Sequence, residues 1–316
     1  KSNTTADNNV AVGYNSLWSN TTGANNTAVG NYALYGNTTG ANNTAVGYIA
    51  LCSNTTGGCN VAIGRDALDS NTEGSSNVAV GTDTLQANTT GGSNIAIGDD
   101  ALKGNSTASF NIGIGATALQ ANQTGTGNVA IGYQSLTTST ASNNTAVGRA
   151  SLLANTSGAS NVAVGTCSLK ANTTGDSNTA VGLDALTANT TGTENAAVGR
   201  KSLLTNTTGS TNTAVGVAAL QQSTTGTANT AVGFASLINN TTASYNTAVG
   251  RCAAYSNTTG QENTAVGQSS LHCNTTGGNN TALGRGAMQS NTTASDNTAV
   301  GINSLCANTT GALNTA

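Results

Sequence analysis

A glycine returns at a fixed interval through nearly the whole chain: Gly13, Gly30, Gly47, Gly64, Gly81, Gly98, Gly115, Gly132, Gly148, Gly165, Gly182, Gly199, Gly216, Gly233, Gly250, Gly267, Gly284 and Gly301. Every gap is 17 residues except that from Gly132 to Gly148, which is 16. A short period held this long specifies a repeat architecture, in which each unit buries its apolar side against its neighbours. Counting positions from 0 at the glycine to 16, one repeat reads Gly-x-x-Ala/Ser-Leu-x-small-Asn-Thr-Thr-Gly-x-x-Asn-Thr-Ala-Val.

The length of 316 residues alone would suggest two globular domains, but the repeat overrides that prior. Residues 1–316 therefore read as one continuous array. Only 7% of residues are charged, the net charge is −3 and no proline occurs. Disorder usually brings high net charge or proline, and a disordered linker has no reason to hold leucine in register. The five arginines are isolated in different repeats, which argues against a nucleic-acid groove. No apolar run approaches the roughly 20 residues that cross a bilayer. The chain starts at Lys1 and stops at Ala316 inside repeats, without the caps a solenoid carries, so the expectation is a segment of a longer protein.

Within one coil, Asn43-Thr44-Ala45-Val46 is a β-favouring run with alternating character. Gly47 breaks it, and a second run, Ala50-Leu51-Cys52-Ser53, is expected to form a second short strand. Its leucine recurs in every coil except at Ala254 and Met288 and is expected inside; the small residue at position 6 is expected as a tighter inward site. Each coil thus reads as two strands and two turns, stacking in parallel register at ~4.8 Å per step into a rod on the order of 85 Å long. The fold class is all-β, a parallel β-solenoid or β-roll of about eighteen coils. Asparagine holds position 13 throughout and position 7 except at Ser139 and Ser223, as stacked amide ladders require. The residue missing between Leu136 and Asn144 falls in the Asn-Thr-Thr-Gly turn, where it flips no strand.

Position 15 is alanine everywhere except Gly113. Strand neighbours point to opposite faces, so if positions 14 and 16 face the interior, this alanine faces out. An outward residue in free solvent should drift, and this one does not. The reverse orientation would leave the aliphatic residue at position 16 as an exposed stripe. Either way both faces are constrained, and the simplest partner is another copy of the chain in register; the alternative is a monomer whose alanine stripe keeps a compact cross-section.

Asn-Val-Ala-Ile-Gly (60–64) and Asn-Ile-Ala-Ile-Gly (94–98), each followed by x-x-Ala-Leu, resemble the head repeats of trimeric autotransporter adhesins. Asn-Thr-Ala-Val-Gly arrays are also similar to shafts of tail-fibre proteins with a self-cleaving chaperone. The resemblance spans essentially the whole chain. It implies a left-handed parallel β-roll, a homotrimer about one axis and a role in surface attachment. The Asn-Thr-Thr-Gly turn makes this coil longer than the adhesin-head coil, and the 316 residues include no stalk, anchor or chaperone segment.

Chemistry-bearing residues are few. The lone His272 sits at a variable position, and no catalytic role is expected. Asp66, Asp83 and Asp100 share position 2 in consecutive coils, with Asp99 beside the last; this ladder reads as a solvated acidic edge, with weak cation binding as the alternative. The six cysteines, Cys52, Cys59, Cys167, Cys252, Cys273 and Cys306, neither stack nor cluster, so they read as isolated thiols, with cross-links between chains of an oligomer as the alternative. The Asn-x-Thr/Ser sequons fall on ladder asparagines, where few or none are expected to carry glycans. Position 1 holds Tyr14, Tyr48, Arg65, Tyr133, Arg149, Arg200, Phe234, Arg251 and Arg285, and reads as a tolerant exposed turn site, with a recognition stripe for host glycans or a receptor as the sharper alternative. No catalytic, metal or cofactor site is expected.

The reading that results is a structural and adhesive fibre segment, extracellular on a cell or virion surface, self-associating as a homotrimer. The alternative is an ice-binding solenoid using threonine ladders at positions 8, 9 and 14.

Overall fold

Seventeen residues can close one coil only if their backbone polar groups find partners in the coils above and below. In a computed structural model of the chain, which describes residues 4–316, they do so. The protein is an all-β parallel β-solenoid with 18 strands and about 17 residues per turn, and no helix occurs among the described residues. Lys1 to Asn3, read above as part of an interrupted repeat, lie outside the described residues.

The chain forms two compact units, residues 1–159 and 160–316. The first holds β1 (Val10–Val12), β2 (Thr27–Val29), β3 (Thr44–Val46), β4 (Val61–Ile63), β5 (Val78–Val80), β6 (Ile95–Ile97), β7 (Ile112–Ile114), β8 (Val129–Ile131) and β9 (Thr145–Val147). The second holds β10 (Val162–Val164), β11 (Thr179–Val181), β12 (Ala196–Val198), β13 (Thr213–Val215), β14 (Thr230–Val232), β15 (Thr247–Val249), β16 (Thr264–Val266), β17 (Thr281–Leu283) and β18 (Thr298–Val300). Within each unit successive strands pair in parallel, with like residues opposite: Ala28 against Ala45, Ala180 against Ala197. The shortened coil keeps this register, since Val129, Ala130 and Ile131 face Thr145, Ala146 and Val147. The deletion is absorbed in the turn before β9, as the sequence implied.

Only positions 14 to 16 are strand. The second run is a series of turns, not a second strand, because its leucine takes a left-handed backbone: φ is 54° at Leu34, 53° at Leu51 and 51° at Leu169. Positions 2 and 12 are left-handed as well, as at Tyr32 and Asn42. A left-handed L-residue costs roughly 1–2 kcal/mol, so these turns persist only because tertiary bonds hold them. Leu34 N–H donates to the Ala50 carbonyl at 2.9 Å, Gly36 N–H to Cys52 at 2.7 Å and Thr38 N–H to Thr55 at 3.0 Å. The turns are thereby stitched coil to coil much as the strands are.

The strand faces the other way from the first expectation. Ala28, Ala45, Ala62, Ala180 and their counterparts at position 15 from Ala28 to Ala299 are wholly buried, while positions 14 and 16 are half-buried or exposed. Position 15 holds still because it packs on the leucine of its own coil. At Gly113, an added Cβ would lie 3.2 Å from Leu102 Cγ. Alanine fits that gap and a larger side chain overpacks it. Position 6 is also not inward: Gly36 is half-buried, and Ser53 and Ala87 are exposed. At Gly36 a Cβ would stand 2.9 Å from the Cys52 carbonyl oxygen of the next coil, whereas other coils carry side chains as large as Gln222 and Asn239 at this position. The second inward small site is position 3, where Ala33 and Ala50 are buried. The marker glycine combines two demands: at Gly47 φ is 137°, and a Cβ would lie 2.4 Å from the carbonyl oxygen of Gly64.

The other half of the interior is polar. Asn37 Nδ2 donates to Asn20 Oδ1 at 2.7 Å and to the Gly40 carbonyl at 2.9 Å. Asn26 Nδ2, from position 13 of the preceding coil, donates to the same Gly40 carbonyl at 2.9 Å. Both lone pairs of that buried oxygen are used. Asn43 N–H closes the second ladder by donating to Asn26 Oδ1 at 2.9 Å. The same convergence recurs at Gly57 and, in the second unit, at Gly192 and Gly209. These asparagines are buried with their amides engaged, so the sequons at Asn37, Asn54 and Asn88 offer no accessible acceptor for a glycan.

The ladder fails at one rung. With Ser223 in place of asparagine, Asn206 Oδ1 and Ser223 Oγ are buried without partners. At the other serine, Asn155 Nδ2 still reaches Ser139 Oγ at 3.1 Å. Ser223→Asn should restore the missing bonds and stabilise the protein by about 1–3 kcal/mol, the cost of buried groups left unpaired. The check is a higher denaturation midpoint than wild type in urea; an unchanged or lower midpoint contradicts the account of the ladder.

Candidate functional site

The surface best placed for recognition is the turn edge that leaves each strand, because the marker glycine ends the strand and positions 1, 2 and 5 follow it. All nine residues of the candidate stripe are exposed: Tyr14, Tyr48, Arg65, Tyr133 and Arg149 in the first unit, and Arg200, Phe234, Arg251 and Arg285 in the second. Tyr48 and Arg65 occupy adjacent coils, as do Tyr133 and Arg149, and Phe234 and Arg251. The stripe is otherwise interrupted by coils carrying other residues, so its members form short groups.

Reading position 1 by itself missed what surrounds it. Tyr14 stands edge-on to Tyr32 at 5.6 Å between ring centroids, and Tyr32 edge-on to Tyr35 at 5.6 Å. Positions 1, 2 and 5 thus share one edge. The signal was available, since Tyr14, Trp18, Tyr32, Tyr35 and Tyr48 crowd the first coils of a chain with only ten aromatic residues. A second ring pair, Tyr255 stacked on His272 at 5.1 Å and 4°, places the lone histidine against an aromatic face. Cys273 Sγ lies 3.7 Å from His272 Nδ1.

The acidic ladder is not bare. Arg65 pairs with Asp66 at 2.7 Å and with Asp83 at 3.2 Å, and Lys103 pairs with Asp83 at 3.0 Å and Asp100 at 2.9 Å. Two protein cations therefore sit where a metal cation would have to. Both carboxylate neighbours hold the Lys103 ammonium above its usual range. Among the described residues, no group of three His, Cys, Asp or Glu side chains is arranged to hold a metal ion. Arg149, Arg200, Arg251 and Arg285 form no ion pair within the described residues.

Asp69 lies beside this network at position 5, where it accepts a 2.8 Å bond from Ser70 Oγ. Burial pushes its carboxyl up from the usual range, opposed by the Ser70 bond and reinforced by Asp66 and Asp83. Burial, and then Asp69, raise the Cys52 thiol, which keeps it protonated and unreactive. All six cysteines are free thiols.

No protein-family model matches the chain, and no curated protein matches it. The case for function rests on geometry.

A carboxyl with a raised folded pKa binds its proton more tightly in the folded state, so ionising it costs stability above its unfolded pKa. Asp69→Asn should therefore raise the melting temperature at pH 7, and the gain should shrink as pH falls through the carboxylate range and Asp69 itself becomes neutral. Melting curves of both proteins between pH 3 and pH 7, roughly spanning that range, would test it. A gain that persists unchanged at the acid end would contradict the assignment.

Proposed function

We propose that the chain is a segment of an extracellular structural and attachment fibre, built by copies of itself joining through their strand faces as a homotrimer. One observation carries this reading: in each unit the outer face of the strands carries an aliphatic residue at position 16 of every coil, a continuous stripe. In the first unit Val29, Ile63, Ile97 and Ile131 at position 16 are each between 36% and 40% exposed. In the second, Val164, Val198 and Val215 are equally exposed and Leu283 is 45% exposed. Position 14 adds Val61, Val78, Ile95 and Ile112 beside them. A flat apolar strip of this regularity is unusual on a monomer surface, and burial against another copy removes it from water. The residues that resemble adhesin-head and tail-fibre repeats, Asn-Val-Ala-Ile-Gly (60–64) among them, include this strip. In the assembly, the turn edges with their exposed tyrosines and arginines remain outside, available for repeated weak contacts that gain avidity by multivalency.

Light scattering on the purified chain is expected to give three times its monomer mass of 30.8 kDa. Ile97→Lys together with Ile63→Lys should return it to the monomer mass with its β-sheet circular dichroism intact, because both side chains lie outside the coil. A wild-type monomer at micromolar concentration would overturn the assembly.

A second reading, ice binding, is favoured by one observation in the second unit. Thr213, Thr230, Thr247, Thr264, Thr281 and Thr298 are six consecutive position-14 threonines in register, on the outer face beside position 16. Position 8 does not contribute, since its hydroxyls, such as Thr38 Oγ1 to the Thr55 carbonyl at 3.0 Å, are spent on the next coil. The two readings use the same face and exclude each other when the trimer is formed. Thermal hysteresis of the chain decides this one: growth arrest of ice crystals supports it, and its absence removes it.

A further inference from the structure

Position 2 carries a side chain in every coil but one. Across both units those residues keep φ between 52° and 60°, from Asn15 to Asn303. The exception is Gly286, at φ 65°, where the missing side chain opens a cavity of about 250 Å³ on the turn edge of the second unit. Gln268, Ser269, Arg285, Gln289 and Asn303 complete its lining. The oxygens Asn303 Oδ1 and Gln289 Oε1 converge on the vacated space, 2.5 and 3.5 Å from where a Cβ on residue 286 would stand. Arg285 contributes a guanidinium with no carboxylate within ion-pair distance among the described residues.

The lining sets the chemistry of what fits. Its single full charge is a planar fork of donors that matches a carboxylate. The rest is neutral: amides and a hydroxyl, which exchange hydrogen bonds with hydroxyl groups. The cavity lies below the roughly 300–1,000 Å³ of a drug-sized site, and it has too little apolar lining for a peptide side chain. One coil along the same edge, His272 occupies position 5, as Gln289 does in the notch, and stacks on Tyr255; the ring pair gives an apolar face for the carbon skeleton of a sugar.

We propose that the notch at Gly286 is a binding subsite for a carboxylate-bearing sugar residue, a uronic or sialic acid, with Arg285 taking the carboxylate and Gln289 and Asn303 the ring hydroxyls. The inference deepens the attachment role above and rests on it for the choice of a surface glycan as the ligand's source. Binding is read directly on the protein in whatever oligomeric state it holds, so failure here and failure of the trimer are separate results.

The test is a calorimetric or NMR titration of the full chain with glucuronic acid, N-acetylneuraminic acid, glucose and acetate. At least one of the two acids should bind at least tenfold more tightly than both glucose and acetate. Gly286→Asn fills the notch with the residue that the next coil carries at position 2, Asn303 at φ 56°; the Asn303 amide must turn aside to admit the new Cβ, so a cooperative melting curve checks that the variant is folded while acid binding falls at least tenfold. Arg285→Gln should cut acid binding to the level of glucose. Undetectable binding of both acids, acetate binding as tight as either acid, or acid binding undiminished in Gly286→Asn would each overturn the proposal.

Discussion

The structure depends on backbone and amide groups of one coil finding the same groups, in the same place, on the next. Three strand residues per coil supply too few hydrogen bonds to hold seventeen. The remainder come from turns bonded to turns and from two asparagine ladders meeting on one carbonyl, as at Gly40. The interaction is cooperative in a literal sense: each Asn amide is both donor and acceptor, so a rung removed leaves orphans on both sides. The two serine rungs show the difference. At Ser139 the turn is one residue short, and Asn155 still reaches the hydroxyl; at Ser223 the turn has full length, and neither its hydroxyl nor Asn206 Oδ1 finds a partner. Burying an amide ladder is tolerable only when it is complete.

This arrangement also decides what the strand can be. With the ladders filling one side of the coil, only a thin apolar layer remains, made of leucine at position 4 against alanine at positions 3 and 15. The leucine must reach inward from a left-handed backbone, whose cost is offset by burial and by its bond to the next coil. A layer that thin leaves no room for the β-branched residues beside the alanine. They are turned outward, and the apolar stripe is therefore a consequence of the narrow interior.

Much of this was legible before any coordinates. The period specifies the solenoid, the recurring asparagines specify the ladders, and the recurring leucine, Leu51 and its equivalents, marks the inside of the coil. The shortened coil was correctly put in a turn. What could not be read was the sign of the alternation. Period two says that Ala45 and its neighbours Thr44 and Val46 point oppositely, but not which of them points in, and hydrophobicity favoured the wrong answer. The deciding contact, Leu102 against position 15 at Gly113, is across the coil. The second strand failed for a related reason: leucine rarely takes positive φ, and the Asn and Asp residues common at positions 2 and 12 were the better clue to left-handed turns. The ion network was within reach of column arithmetic, since Arg65, Asp66 and Asp83 are neighbours once coils are stacked. Reading columns one at a time concealed it, as it concealed the contact of Tyr14 with Tyr32.

A strictly repeated surface presents the same group at every step and can distinguish little beyond another regular surface, whether a copy of itself or a lattice. Specificity for a discrete ligand requires a place where the repeat is broken. The breaks in this chain lie on the turn edge, where a coil can vary without disturbing the ladders or the thin core: the tyrosine group near Tyr32, the ion pairs around Asp83, and the missing side chain at Gly286. The strand face, by contrast, varies only between Thr, Ala and β-branched residues at position 14 and among aliphatics at position 16. In the proposed fibre, assembly and recognition fall on different faces by the same constraint, the need for each coil to match its neighbours everywhere except at one exposed turn.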